Sequence, residues 1–252
     1  RNAITMQITP GTKTTDRIFD STAPQALTTA ASAIHGSVTP SNLRWFSLTV
    51  NNPELLDAEG VAPWLDDLSN AIFAAISGSN FDSEAQELYS DLLAFGTGCM
   101  IVEEDSPKPQ QAFTGVRFHT QQPGTFVIGE GPNGRVDTVM REIPMTIGAM
   151  AQRWGTKNVS ERSQKCIEAG DVDEQVLVLH AVYPRYDGYP TSLAPKKMPF
   201  ASCWIELGNV WALGRSGSSM MNPHLLKEEG RQILPIMVPR WRKMSGEEYG
   251  RS

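Results

Sequence analysis

The chain has 252 residues, 40% of them apolar and 20% charged, a composition typical of a folded protein rather than of a disordered one. No apolar run approaches the roughly 18 residues of a transmembrane helix, so no membrane is expected among its partners. The net charge of −6 argues against binding to DNA or to an anionic membrane by bulk charge.

Helices dominate the first 97 residues. Capping residues and helical spacing predict helices over residues 22–36, 61–76 and 83–95. The last of these begins at a capping box formed by Ser83 and Gln86. We expect these helices to pack as one unit against a sheet, with a core made by Trp64, Leu68, Ile72, Leu88, Leu92 and Phe95.

Strands dominate from residue 98 onward, although residues 44–50 also alternate like a half-buried strand. Two short helices are predicted over residues 145–154 and 160–169. The strands are predicted over residues 99–102, 115–120, 125–128, 135–143, 175–183, 201–206, 210–213 and 233–238. The sequence thus predicts an α+β fold with mostly antiparallel sheet. Its helical part covers residues 1–97, its sheet-rich part covers residues 98–252, and the two form one continuous region.

One glycine-rich segment, residues 129–134, matches the pattern G-x-G-x-x-G of dinucleotide-binding loops. Such a loop joins a strand to a helix, whereas the residues that follow this segment alternate like a strand. Asn133-Gly134 between two strands is a strong signal for a tight hairpin turn. We therefore interpret the segment as a β-hairpin and not as a nucleotide site.

The sequence contains no pattern that indicates an active site or a metal site. Its three cysteines and four histidines are scattered, without the spacing of a zinc site or of a disulfide scaffold. The acidic run Glu103-Glu104-Asp105 is interpreted as a solvated strand end, because adjacent strand residues point to opposite faces. We therefore expect no catalytic residue, no metal, no cofactor and no nucleotide hydrolysis.

The basic segment Arg240-Trp241-Arg242-Lys243 is the most unusual feature of the C-terminal part. By itself it is interpreted as a strand end whose tryptophan packs inward while its arginines face water. The alternative is that it binds a nucleic-acid backbone or a carboxylate on a neighbouring subunit. Arg44-Trp45 presents the same two possibilities.

Short phrases run through the chain in a characteristic order and spacing. They are Phe19-Asp20-Ser21-Thr22-Ala23, Thr39-Pro40, Arg44-Trp45-Phe46, Glu87-Leu88-Tyr89, Phe95-Gly96-Thr97-Gly98, Val102-Glu103-Glu104, Val136-Asp137-Thr138-Val139, Arg141-Glu142, Met145-Thr146, His180-Ala181-Val182-Tyr183-Pro184-Arg185, Pro239-Arg240-Trp241 and Gly246-Glu247-Glu248-Tyr249-Gly250-Arg251. As a series that spans nearly the whole chain, they resemble the head-to-tail connecting (portal) proteins of short-tailed bacteriophages.

The resemblance implies a structural, non-enzymatic virion protein, made in the host cytoplasm, that forms a ring of about twelve subunits at one capsid vertex. Its implied partners are the terminase, tail adaptor proteins, the major capsid protein and the double-stranded DNA that passes through the ring. A family subunit continues beyond the last phrase into stem helices and a clip. The chain is therefore expected to be the wing-type portion, and its residues are not expected to line the DNA tunnel.

Within such a ring, Arg44, Arg240 and Arg242 are expected to bind carboxylates of neighbouring subunits or partners, with Trp45 and Trp241 as apolar anchors. The alternative is another non-enzymatic virion structural protein, either a tail adaptor or a capsid-associated subunit. Such a protein is not expected to carry the ordered series of phrases.

Overall fold

The chain folds into two compact units in the computed structural model, which describes residues 20–105, 113–209 and 223–252. Unit 1 contains the described residues up to Pro123 together with Ile236–Ser252, and unit 2 is Gly124–Pro235. The change from helices to strands near residue 97 lies inside unit 1. All strand pairs in the described ranges are antiparallel, which confirms the predicted α+β class.

Unit 1 combines helices with a small sheet. The helices are α1 (Thr22–Val38), α2 (Pro53–Leu56), α3 (Val61–Ser77) and α4 (Phe81–Phe95), and the strands are β1 (Met100–Glu104), β2 (Val116–Thr120) and β8 (Ile236–Met237). The sheet has the strand order β2-β1-β8.

Side chains at the start of α4 cover the outer edge of β2. The Asn80 amide accepts a hydrogen bond from the Phe118 N–H at 2.9 Å and donates one to the Phe118 carbonyl at 2.8 Å. One turn later the Glu84 carboxylate accepts from the Thr120 N–H at 2.6 Å. These bonds replace a neighbouring strand and block edge-to-edge pairing. The predicted capping box is wrong, because the helix begins before Ser83 and this hydroxyl donates back to the Asn80 carbonyl.

The core of unit 1 lies where α4 packs on the sheet, and it differs in part from the predicted one. Leu88 and Leu92 are buried as predicted, but Trp64, Leu68 and Phe95 are 61%, 36% and 54% exposed. In α3 the buried apolar residue is Leu65, and since each residue turns the helix by about 100°, its neighbour Trp64 faces away. The residues at the centre of the packing are Ala85, Leu88, Met100 and Phe118.

The segment 44–50 pairs with no strand in the described chain, so this predicted strand is wrong. It lies along α3 instead, where the buried Ser69 hydroxyl accepts a hydrogen bond from the Leu48 N–H at 3.0 Å. The same hydroxyl donates to the Leu65 carbonyl at 2.7 Å. Alternating apolar residues therefore pack against a helix here rather than into a sheet.

The described residues of unit 2 form strands and two α-helices. They are β3 (Phe126–Glu130), β4 (Val136–Thr146), α5 (Ile147–Trp154), α6 (Glu161–Ala169), β5 (Gln175–Pro184), β6 (Phe200–Asn209) and β7 (His224–Arg231). These strands form an antiparallel sheet of order β3-β4-β5-β6-β7. The sequence did not indicate β7, because its charged residues hide the alternation. The predicted strand at residues 210–213 lies outside the described residues.

The glycine-rich segment forms the predicted hairpin. It joins β3 to β4, which pair antiparallel. The Gly131 N–H donates to the Arg135 carbonyl at 2.9 Å, and Gly134 has a φ of +69°, which favours glycine. No helix follows that could bind a pyrophosphate at its N-terminus.

The core of unit 2 contains a buried stack built on Trp204. The His180 ring lies parallel to the Trp204 ring, with 3.8 Å between centroids. Arg141 Nε donates to His180 Nδ1 at 3.1 Å, so that nitrogen is the acceptor and the proton lies on Nε2, 2.9 Å from Ser202 Oγ. The pKa of His180 is lowered to about 3, first by burial and then by three nearby arginines. His180 is therefore neutral near pH 7.

Replacing Leu92 with alanine should lower the free energy of unfolding by about 2–5 kcal/mol, since the side chain is buried between α4 and its neighbours. Phe95→Ala, three residues further along the same helix, is the control and should cost clearly less, because Phe95 is more than half exposed. Chemical denaturation of both variants checks this. An equal loss for the two would contradict the assigned face of α4.

Stability should fall as the pH drops below about 6.5, because the unfolded state then protonates His180 and the folded state does not. The slope from this one group is at most about 1.4 kcal/mol per pH unit, and it ends near pH 3. His180→Gln retains an acceptor and a donor but does not titrate. The free energy of unfolding, measured by denaturation and plotted against pH from 7 to 4, should therefore change less steeply for the variant. Parallel curves for wild type and variant would refute the assignment.

Candidate subunit and partner contacts

Arg44 and Trp45 are anchored on the helices of unit 1. The Arg44 guanidinium lies 2.6 Å from the Asp66 carboxylate of α3 and donates to the Asn70 side chain at 2.8 Å. The Trp45 ring stacks on Phe81 with 6.0 Å between centroids and is 39% exposed. Arg44 is therefore held within its own chain, while part of the Trp45 ring faces solvent.

Backbone hydrogen bonds hold the basic segment Arg240-Trp241-Arg242-Lys243 in place, and its last three side chains are exposed. The Trp241 N–H donates to the Gly96 carbonyl at 2.9 Å, and the Arg242 carbonyl accepts from the Arg251 N–H at 2.9 Å. Trp241 is 53% exposed, so the expectation that it packs inward is wrong: the backbone pairing leaves its ring on the outside. Arg240 donates to the Glu248 carbonyl at 3.0 Å.

The two segments are anchored at opposite ends of α4. Trp45 stacks on Phe81, the first residue of this helix, whereas Trp241 bonds to Gly96, directly after its last residue. A helix of 15 residues places these anchors about 22 Å apart. The structure therefore does not bring the five candidate residues together into one patch within a subunit.

The structure does bring together three of the phrases that carry the family resemblance. Their backbones cross at one place, which we call the junction. It consists of Phe95-Gly96-Thr97-Gly98, Pro239-Arg240-Trp241 and Gly246–Arg251. The buried Thr97 hydroxyl accepts from the Gly250 N–H at 2.7 Å, and the Gly98 N–H donates to the Pro239 carbonyl at 3.1 Å. Residues about 150 positions apart in sequence thus form one structural element.

Glycine is required where the backbones of the junction cross. A Cβ on Gly96 would lie 2.3 Å from the Arg251 carbonyl carbon, and one on Gly250 would lie 2.2 Å from the Gly96 oxygen. Gly96 also has a φ of +77°, where it ends α4 in the left-handed conformation. The spacing of these glycines was visible in the sequence, but only the fold shows that they face each other.

Acidic side chains are concentrated in one part of unit 1. The sequence analysis did not identify this feature, although the acidic residues can be counted in the sequence. Residues 45–105 contain twelve carboxylates and no lysine, arginine or histidine. Burial, and then the charge of Glu87, raise the pKa of Asp91 to about 6. The twelve are Glu54, Asp57, Glu59, Asp66, Asp67, Asp82, Glu84, Glu87, Asp91, Glu103, Glu104 and Asp105.

The acidic residues do not converge into a metal site. Over residues 20–105, 113–209 and 223–252, no group of three or more His, Cys, Asp or Glu side chains is placed to hold a metal ion. Asp105 pairs with Arg117 at 3.3 Å at the exposed end of β1 and β2.

Within the same described ranges, the helices are too short or too polar to cross a membrane.

Thr97→Val should loosen the junction, because it keeps the side-chain volume but leaves the Gly250 N–H without its acceptor. We expect a loss of about 1–3 kcal/mol in unfolding free energy and faster tryptic cleavage after Arg242 and Lys243. Thr97→Ser keeps the hydroxyl and is the matched control. If valine and serine variants are cleaved at the same rate, the hydrogen bond does not hold this segment.

Comparison with known proteins agrees with the family resemblance that the junction phrases carry. The sequence model of the family described as "Bacteriophage head to tail connecting protein" matches residues 1–252. The chain is 28% identical over 243 residues to the "Probable portal protein" of Bordetella phage BPP-1, covering 96% of this chain and 40% of that protein. It is 29% identical over 232 residues to the "Portal protein" of Salmonella phage epsilon15, covering 92% of this chain and 38% of that one. The chain thus spans about two fifths of these relatives, and it belongs to the bacteriophage head to tail connecting protein family.

Proposed function

We propose that the chain is part of a portal protein, the head-to-tail connector at one vertex of a phage capsid. The match of the family model to the whole chain carries this proposal. The protein forms a closed ring of about twelve subunits through which double-stranded DNA is packaged and ejected. The terminase, tail adaptor proteins and the major capsid protein dock on this ring. The role is structural and non-enzymatic, in a virion protein made in the host cytoplasm.

The charge of the chain supports a conduit rather than a tight DNA-binding site. A net charge of −6 for this portion of each subunit, repeated around a ring, repels a phosphate backbone. Neutralising many phosphates would make binding tight and salt-dependent, which opposes sliding. DNA contacts by these residues are therefore not part of the proposal.

The five candidate residues have different roles in this proposal. Arg242 and Trp241 meet a neighbouring subunit or partner, because their side chains point outward from a fixed backbone. Arg44 and Arg240 stabilise the fold of their own chain. Arg44 pairs with the Asp66 carboxylate, and Arg240 donates to the Glu248 carbonyl. Trp45 offers its exposed ring edge as a smaller apolar contact.

Negative-stain microscopy of the purified full-length protein tests the ring. We expect closed rings with a central hole, because a heterologous interface closes by rotation. Phage that lack the protein should make heads without DNA, since packaging starts at the portal. A preparation without rings would refute the proposal. Heads that fill and then lose their DNA would also contradict it and would favour a tail adaptor.

A further inference from the structure

We propose that an acidic apolar stripe on α3 of one subunit binds the basic segment Trp241–Met244 of the next subunit in the ring. The inference rests on the proposed portal ring and names the two surfaces that would join its subunits. It assigns a role to two exposed surfaces of unit 1.

The first surface, called the α3 stripe, is a largely exposed apolar face of a helix. Trp64, Leu68, Ala71 and Ala75 follow one another at helical spacing, so they lie on the same side of α3. The ring of Trp64 is 61% exposed, although tryptophan is costly to leave in water.

Carboxylates flank this stripe. Asp67 is one turn from Trp64 and from Ala71, and Glu59 lies just before the helix begins. Both are exposed, and neither forms an ion pair with any residue in the described part of the chain. A partner for the α3 stripe must therefore carry both apolar and basic side chains.

The second surface has this composition. Trp241 and Met244 are 53% and 40% exposed, and Arg242 and Lys243 lie between them. No acidic residue occurs from position 238 to position 246. The backbone hydrogen bonds of the junction already hold the segment, so little conformational entropy is lost when its side chains are covered.

Pairing the two different surfaces fits a ring better than pairing like with like. Two copies of the α3 stripe would place Asp67 against acidic residues, and two basic segments would repel each other in the same way. One surface is on the helix that leads into the start of α4, while the other bonds to Gly96 after its end. A subunit can therefore offer one surface to each neighbour, as a heterologous interface requires.

The test uses two charge-reversed forms of the full-length protein. The first carries Glu59→Lys and Asp67→Lys, and the second carries Arg242→Glu and Lys243→Glu. Each form alone should lose at least about tenfold in ring yield by light scattering, because like charges then face each other. Glu168→Lys with Asp173→Lys, on exposed positions of unit 2, is the matched control and should assemble like wild type.

An equimolar mixture of the two forms should recover rings, because the lysines of one form then meet the glutamates of the other at alternate interfaces. A chain with all four substitutions should also assemble. If either form assembles alone, or if neither combination restores rings from folded protein, the proposal is wrong. Circular dichroism of each variant establishes that it is folded. If wild type forms no ring at all, the proposed function fails and not only this interface.

Discussion

The crossing of two backbones at Gly96 and Gly250 is the constraint on which the rest of unit 1 depends. It allows no side chain on either residue, and it brings the last residues of the chain back to the end of α4. Just before this crossing, the Trp241 N–H bonds to the Gly96 carbonyl, and the Trp241 ring faces outward. The crossing thus joins the end of α4 to the exposed basic segment.

Unit 2 is held together by a different kind of interaction. Its buried stack places Arg141 and His180 next to Trp204, and Arg153 lies over the same ring at 4.4 Å from its centroid. Buried polar groups of this kind are costly unless they are satisfied, and satisfied networks favour a single arrangement. The carboxylate of Glu206 has a similar role, since it accepts hydrogen bonds from the Ser160 and Ser163 hydroxyls at the start of α6.

The segregation of charge in unit 1 links structure to the proposed assembly. Carboxylates are concentrated on residues 45–105, where like charges repel one another. Burial, and to a lesser extent the charge of Glu87, raise the pKa of Asp91. The cost of this repulsion is lower when a basic surface from another copy comes close, since opposite charges then face each other. The acidic balance that argues against DNA binding therefore also supports the proposed contacts between subunits.

By itself, the sequence determined the α+β class, the positions of most helices and strands, the hairpin at Asn133-Gly134 and the family resemblance. These follow from local spacing, turn residues and short phrases, which act within a few residues along the chain. Only the tertiary structure decided that Trp64, Phe95 and Trp241 face solvent, that residues 44–50 lie on α3 and that β7 joins the sheet. It also decided that the phrase containing Gly96 meets the phrase containing Gly250. Burial and long-range pairing depend on which faces of distant elements come together, and periodicity within a single segment carries no information about that choice.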